Sequence, residues 1–78
     1  MRRKAILITG AAGEVGQALI QQLAEQGADN LLTLDVRPLP AHLAGKATHY
    51  QADILDKALF DRLVIEYDIT TIYHMAAI

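Results

Sequence analysis

Residues Lys4–Leu19, Lys-Ala-Ile-Leu-Ile-Thr-Gly-Ala-Ala-Gly-Glu-Val-Gly-Gln-Ala-Leu, constrain this chain more than any other stretch. The apolar positions of residues 4–9 run on without alternating, as in a strand buried on both faces of a parallel sheet. The run ends in three glycines spaced three apart, Gly10, Gly13 and Gly16, and a helical pattern opens at once. A strand, a tight turn and a helix start in that order let the amides of a helix N-terminus face an anion with no Cβ in the way. A dinucleotide pyrophosphate is held in this manner.

The rest of the chain supplies matching elements. Val15, Leu19, Ile20 and Leu23 recur at helical spacing, and Gly27 stands where the C-terminal stop of that helix belongs. Asn30–Val36 is expected to be a second strand, completing a βαβ unit with a right-handed crossover. Pro38 and Pro40 then break regular structure, leaving Ala41–Gly45 at most one turn of helix. A third strand is expected near Ala47–Ala52 and a fourth at Thr70–Met75. Between them lies a helix that turns Leu59, Leu63, Phe60 and Val64 toward the sheet. Asp53 and Asp56 both fit as its N-cap.

Strands alternating with helices predict an α/β, doubly wound fold: a four-stranded parallel sheet covered on both faces, of expected order 3-2-1-4. Ligands of such sheets bind in the crevice at the carboxyl ends of the strands. The glycines, Asp35, Asp53 and His74–Ala77 all fall at those ends.

Composition narrows the function classes. With 78 residues the chain is one domain at most, and 53% hydrophobic with 21% charged residues is the balance of a buried core. The absence of cysteine excludes a disulfide scaffold or thiolate metal site and fits a reducing cytoplasm. A net charge of −2 gives no basic footprint for nucleic acid or an anionic membrane, and no segment has the length of a bilayer span. His42 and His49 show no metal spacing with any carboxylate, so no metal site is expected.

Asp35 closes the expected second strand nineteen positions after Gly16. A carboxylate there can accept hydrogen bonds from both adenosine ribose hydroxyls and repels a 2′-phosphate, which favours NAD over NADP. Val36 and Arg37 share this strand end; an arginine so placed can accommodate a 2′-phosphate or stack on the adenine.

The segment Thr9-Gly10-Ala11-Ala12-Gly13-Glu14-Val15-Gly16 resembles the cofactor loop of the extended short-chain dehydrogenase/reductase family, the NAD-dependent epimerase/dehydratase group. Asp35, Asp53-Ile54 and His74-Met75-Ala76-Ala77, similar to the family's H-x-A-A segment, extend the resemblance over essentially the whole chain. It implies a partial Rossmann fold and hydride transfer between a substrate carbon and nicotinamide. It further implies that the amides of Glu14 and Val15 meet the pyrophosphate, that Asp53 and Ile54 lie beside the adenine, and that Ala76 and Ala77 contact the ribose near the nicotinamide. Helix capping by Asp53 and close packing at the two alanines explain the same residues without a ligand. Asp-x-Arg at 35–37 and Asp-Ile-Leu-Asp at 53–56 resemble the short-chain-type L-threonine dehydrogenases, and nucleotide-sugar epimerases and dehydratases are the broader group.

The family's chemistry depends on a Tyr-x-x-x-Lys pair with a serine or threonine. Four positions after Tyr50, Tyr67 and Tyr73 stand Ile54, Thr71 and Ala77, and the chain has no serine. Thr70 and Thr71 are expected at the start of the last strand, away from the crevice. His74, with no orienting partner in view, reads as structural rather than as a base. No catalytic residue carries over. Residues 1–78 are therefore expected to be the N-terminal part of an NAD(P)-binding domain that binds but does not turn over, meeting a small-molecule substrate only in a longer form. An uncovered sheet edge would favour self-association. The competing reading is a non-catalytic dinucleotide-binding module or a self-associating fold fragment.

Overall fold

A computed structural model describes residues 2–76. Four parallel strands form one sheet in the order β3-β2-β1-β4, with β1 at Arg3–Thr9, β2 at Leu31–Asp35, β3 at Thr48–Gln51 and β4 at Tyr67–His74. Helix α1 (Glu14–Glu25) joins β1 to β2, a 3-10 turn at Ala41–Leu43 lies before β3, and α2 (Lys57–Glu66) joins β3 to β4. This is the doubly wound arrangement expected.

The side-chain period of two distributes β1 between two cores. Ala5 and Leu7 join Leu32, Leu34, Leu59 and Leu63 on the α2 face. Ile8 joins Ala11, Ile20 and Leu43 on the α1 face, with Ile6, Leu19 and Leu23 packed against them. A strand that must satisfy both faces has no polar position to spare, which is why its apolar run does not alternate.

Helix α1 ends as expected: Gly27 takes φ +79°, its amide bonds Ala24 O at 3.1 Å, and Ala28 N bonds Leu23 O at 3.0 Å. This pair of bonds is a Schellman motif. Val15 departs from the expected core stripe, for it is 68% exposed on the first turn of α1, where the helix has not yet settled on the sheet. Val64, expected to face the sheet, is 49% exposed, because Leu59 and Leu63 already fill the contact.

Two strand boundaries differ from expectation for identifiable reasons. Asn30 sits outside β2 with φ +53°, its side chain donating to Lys4 O at 3.0 Å, so it turns the chain into the strand. Strand β4 begins at Tyr67, directly after Glu66 of α2, three residues before the expected start. Its register against β1 shifts between Ala5↔Ile69 and Ile6↔Thr71, leaving Thr70 as a bulge whose hydroxyl donates to Ala5 O at 3.3 Å. Thr70 and Thr71 therefore lie mid-strand rather than at its start. Among the described residues β4 pairs on one side alone, and Ile72 is 58% exposed.

Candidate functional site

The four strands deliver their carboxyl ends to one side of the sheet, and a crevice of about 460 Å³ opens there. Gly10 and Gly13 line it after β1, Leu34 to Arg37 at the end of β2, Ala52 to Ile54 after β3, and Met75 and Ala76 after β4. Its size is that of a small-molecule pocket. Backbone bonds tie the ends together: Gly10 N to Leu34 O at 2.9 Å, Ala52 N to Asp35 O at 3.0 Å, and Met75 N to Thr9 O at 2.9 Å.

The glycine loop is shaped by close approach. Gly10 takes φ +67°, and a Cβ there would lie 2.5 Å from Ala76 N and 2.7 Å from the Met75 carbonyl carbon. At Gly16 a Cβ would lie 2.6 Å from Gly10 O, so α1 can rest on the loop only without a side chain at that position. Gly13 is the N-cap of α1 and offers no side-chain cap; the first bond of the helix is Gln17 N to Gly13 O at 2.9 Å. The amides of Glu14, Val15 and Gly16 thus have no intrahelical acceptor. Their residues do not line the crevice themselves: Glu14 and Val15 are exposed beside it and Gly16 is buried beneath the loop.

Asp35 is the buried charge of the crevice. Its Oδ2 accepts from Ala12 N at 3.0 Å and Arg37 Nη2 at 3.2 Å, and its Oδ1 from Arg37 N at 2.9 Å and Arg37 Nε at 3.2 Å. Burial pushes the carboxyl up, but the bonds from the Arg37 side chain, the Arg37 amide and the Ala12 amide outweigh it and hold the group below its ordinary value. The Arg37 guanidinium is held above its own ordinary value by the same pair.

Asp53 is exposed at the crevice wall and does not cap α2. Its carboxylate accepts from Leu55 N at 2.8 Å, closing a local turn, while Asp56 accepts from Leu59 N at 3.1 Å and is the cap. Ile54 is half-buried, packed on the α2-face core. Ala76 abuts Gly10 through its backbone; Ala77 lies outside the described residues.

His74, expected to lack an orienting partner, has one: its Nδ1 lies 2.8 Å from the buried Thr9 hydroxyl, opposite it in register. Burial pushes the Tyr50 phenol up, with Tyr67 and Glu66 adding to the rise, the reverse of what an acid/base tyrosine requires. Among the described residues no cluster of three or more His, Asp or Glu side chains could hold a metal ion, and no helix is long and apolar enough to cross a membrane.

The sequence model of the NAD dependent epimerase/dehydratase family matches residues 6–78. The chain belongs to that family. The UDP-glucose 4-epimerase of Halalkalibacterium halodurans is 34% identical over 73 residues, covering 94% of this chain and 22% of the epimerase. The mitochondrial L-threonine 3-dehydrogenase of Bos taurus is 32% identical over 74 residues, covering 94% of this chain and 20% of the dehydrogenase. Among solved structures, MoeE5 in complex with UDP-glucose and NAD is 35% identical with a TM-score of 0.75, covering 95% of this chain and 22% of MoeE5. The chain thus spans between a fifth and a quarter of the length of these relatives.

Several residues that brace the crevice from behind its lining are not marked by any sequence motif. Ala12 contributes a backbone amide, which no side-chain pattern announces. His49 reaches from β3 to bridge the Thr33 hydroxyl at 2.8 Å and Arg37 O at 2.9 Å. A carbonyl only accepts, so His49 Nε2 carries the hydrogen in that bond. The one sequence signal was a polar pair, Thr33 and His49, at adjoining strand positions that pair in register.

Proposed function

We propose that these residues form the NAD-binding half of an NAD-dependent epimerase/dehydratase-type oxidoreductase. One observation carries the reading: Gly13 borders the crevice, yet nothing inside the protein demands a glycine there. Its backbone is extended, at φ −75° and ψ 170°, and a Cβ would meet only Gly10 O at 3.5 Å and Arg37 Nη2 at 3.7 Å. Gly10 and Gly16 are explained by their own packing. Gly13 is explained by something else approaching closely, and a pyrophosphate facing the free amides at the start of α1 fits that space.

In this reading the amides of Glu14 and Val15 take the pyrophosphate, with Gly16 letting α1 close on the loop. Asp35 takes the adenosine ribose and favours NAD over NADP, since its carboxylate repels a 2′-phosphate. Val36 and Arg37 form the rim, Asp53 and Ile54 frame the adenine, and Ala76 and Ala77 adjoin the nicotinamide ribose. When bound, the nicotinamide supplies hydride transfer. The residues of this chain bind and orient.

No Tyr-x-x-x-Lys pair is present, so binding without turnover is assigned to these residues and substrate handling to the rest of a longer protein. The names of its relatives point to a nucleotide sugar or L-threonine as that substrate. A chain without cysteine suits the reducing cytoplasm.

Thermal melting with and without dinucleotide tests the reading. NAD at about a hundred times its Kd should stabilise the fold by roughly 2.7 kcal/mol, and NADP at the same concentration by less. Gly13→Ala should cost the unliganded protein about 0.5–1 kcal/mol, through a poorer N-cap, and abolish most of the NAD shift. A folded protein that shifts with neither dinucleotide would overturn the assignment.

A further inference from the structure

Asp35 has no acceptor position left. A carboxylate offers about four lone-pair sites, and four N–H groups fill them: Ala12 N and Arg37 Nη2 on Oδ2, Arg37 N and Arg37 Nε on Oδ1. A ribose diol that is to bond this carboxylate therefore has to displace something.

The four donors are not equally removable. Ala12 N belongs to the buried glycine loop. The backbone of Arg37 is pinned at both ends, its amide on Asp35 Oδ1 at 2.9 Å and its carbonyl under His49 Nε2 at 2.9 Å. His49 is itself braced by the Thr33 hydroxyl. The Arg37 side chain, by contrast, is 62% exposed, and its guanidinium extends to within 3.7 Å of where a Gly13 Cβ would stand. It can leave without moving the backbone that carries it. Its departure would free one acceptor position on each oxygen, side by side, which matches two adjacent hydroxyl donors.

We propose that Arg37 is a latch on the crevice: its guanidinium fork holds the two positions on Asp35 that a vicinal ribose diol takes, and ligand entry requires it to swing off. The proposal rests on the adenosine-dinucleotide reading above and adds a competitor from within the chain. Arg37 thereby sets affinity for the nucleoside end of the ligand, and the latch also keeps the buried carboxylate paired until the diol replaces it. The arginine end of the pair is open to solvent, which weakens it as a competitor, so the expected effect is about two- to five-fold in Kd.

Adenosine is the discriminating probe, because it carries the diol but no charge that the arginine could attract. Its Kd is measured by titration calorimetry on the parent, Arg37→Ala and Arg37→Lys, with 2′,3′-dideoxyadenosine as control and circular dichroism to establish folding. Arg37→Ala should bind adenosine about two- to five-fold more tightly and the dideoxy compound no more tightly than the parent does. Arg37→Lys, which cannot fork across both oxygens, should fall between and carries the comparison if the alanine variant fails to fold. Equal or weaker adenosine binding in the folded variants overturns the latch while leaving the cofactor reading intact, provided NAD still stabilises the parent. Absence of any NAD shift in parent and variants overturns the cofactor reading, and the latch with it.

Discussion

The amide of Ala12 donates to Oδ2 of Asp35 at 3.0 Å, joining the glycine loop after β1 to the end of β2 through a buried carboxylate. The shape of the crevice thus depends on the ionisation of one side chain. Because Asp35 titrates below its ordinary 3.8 when folded, its contribution is complete above the unfolded value, near pH 4, and is lost as pH falls through the lower folded value. Asp35→Asn should lower stability at pH 7 by about 1–3 kcal/mol, since one of its amide hydrogens must face a donor. The gap between parent and variant should begin to narrow below about pH 4 and go on narrowing as pH falls through the lower folded value. Urea unfolding at stepped pH checks this; a gap constant from pH 7 to pH 2 would refute it.

Gly10→Ala and Gly16→Ala should both destabilise, for different reasons. The first forces a side chain into the left-handed region, costing about 1–2 kcal/mol, and presses it on Ala76 N. The second pushes α1 off Gly10 O, an overpacking cost of about 1–3 kcal/mol. Chemical denaturation measures both losses. Near-neutral results would mean that the loop relaxes freely.

Asp56→Ala should cost about 1 kcal/mol through loss of the α2 cap, and Asp53→Ala less, because its bond closes only a local turn. Melting temperatures of the pair decide the order. Equal losses would show that both aspartates support the helix.

Strand β4 pairs on one side alone among the described residues and exposes Ile72. An open, apolar edge recruits further strands, so the chain should self-associate at high concentration and Ile72→Lys should reduce this. Light scattering across a dilution series follows it. A parent that stays monomeric throughout would remove the edge as a docking feature.

The legible parts of the fold were those in which one residue type has one use. The apolar run of β1 serves two cores at once, and the positive-φ glycines mark turns that most side chains disfavour. Where two uses compete, position alone does not decide. Val15 keeps helical spacing but falls on a first turn that has not reached the sheet, and Asp53 and Asp56 differ only in which amide each reaches. The Thr9–His74 pair joins residues 65 apart in sequence, so it depends on a register set by a bulge at Thr70. The expectation for Arg37 covered a phosphate or a base, and its grip on Asp35 required knowing that β2 ends with both side chains on the same rim.

The pairing of Arg3 with Tyr67 at the start of the β1–β4 ladder has a consequence for how the molecule is made. Of the four strands, the one at the centre of the sheet leaves the ribosome before the others, and the neighbour on its second side follows the other three. During synthesis β1, α1 and β2 can assemble while the other margin of β1 waits, through some sixty further residues, for its partner. Protection of the β1 amides should accordingly arrive in two stages on nascent chains of increasing length, and the later stage should coincide with release of residues 67–74.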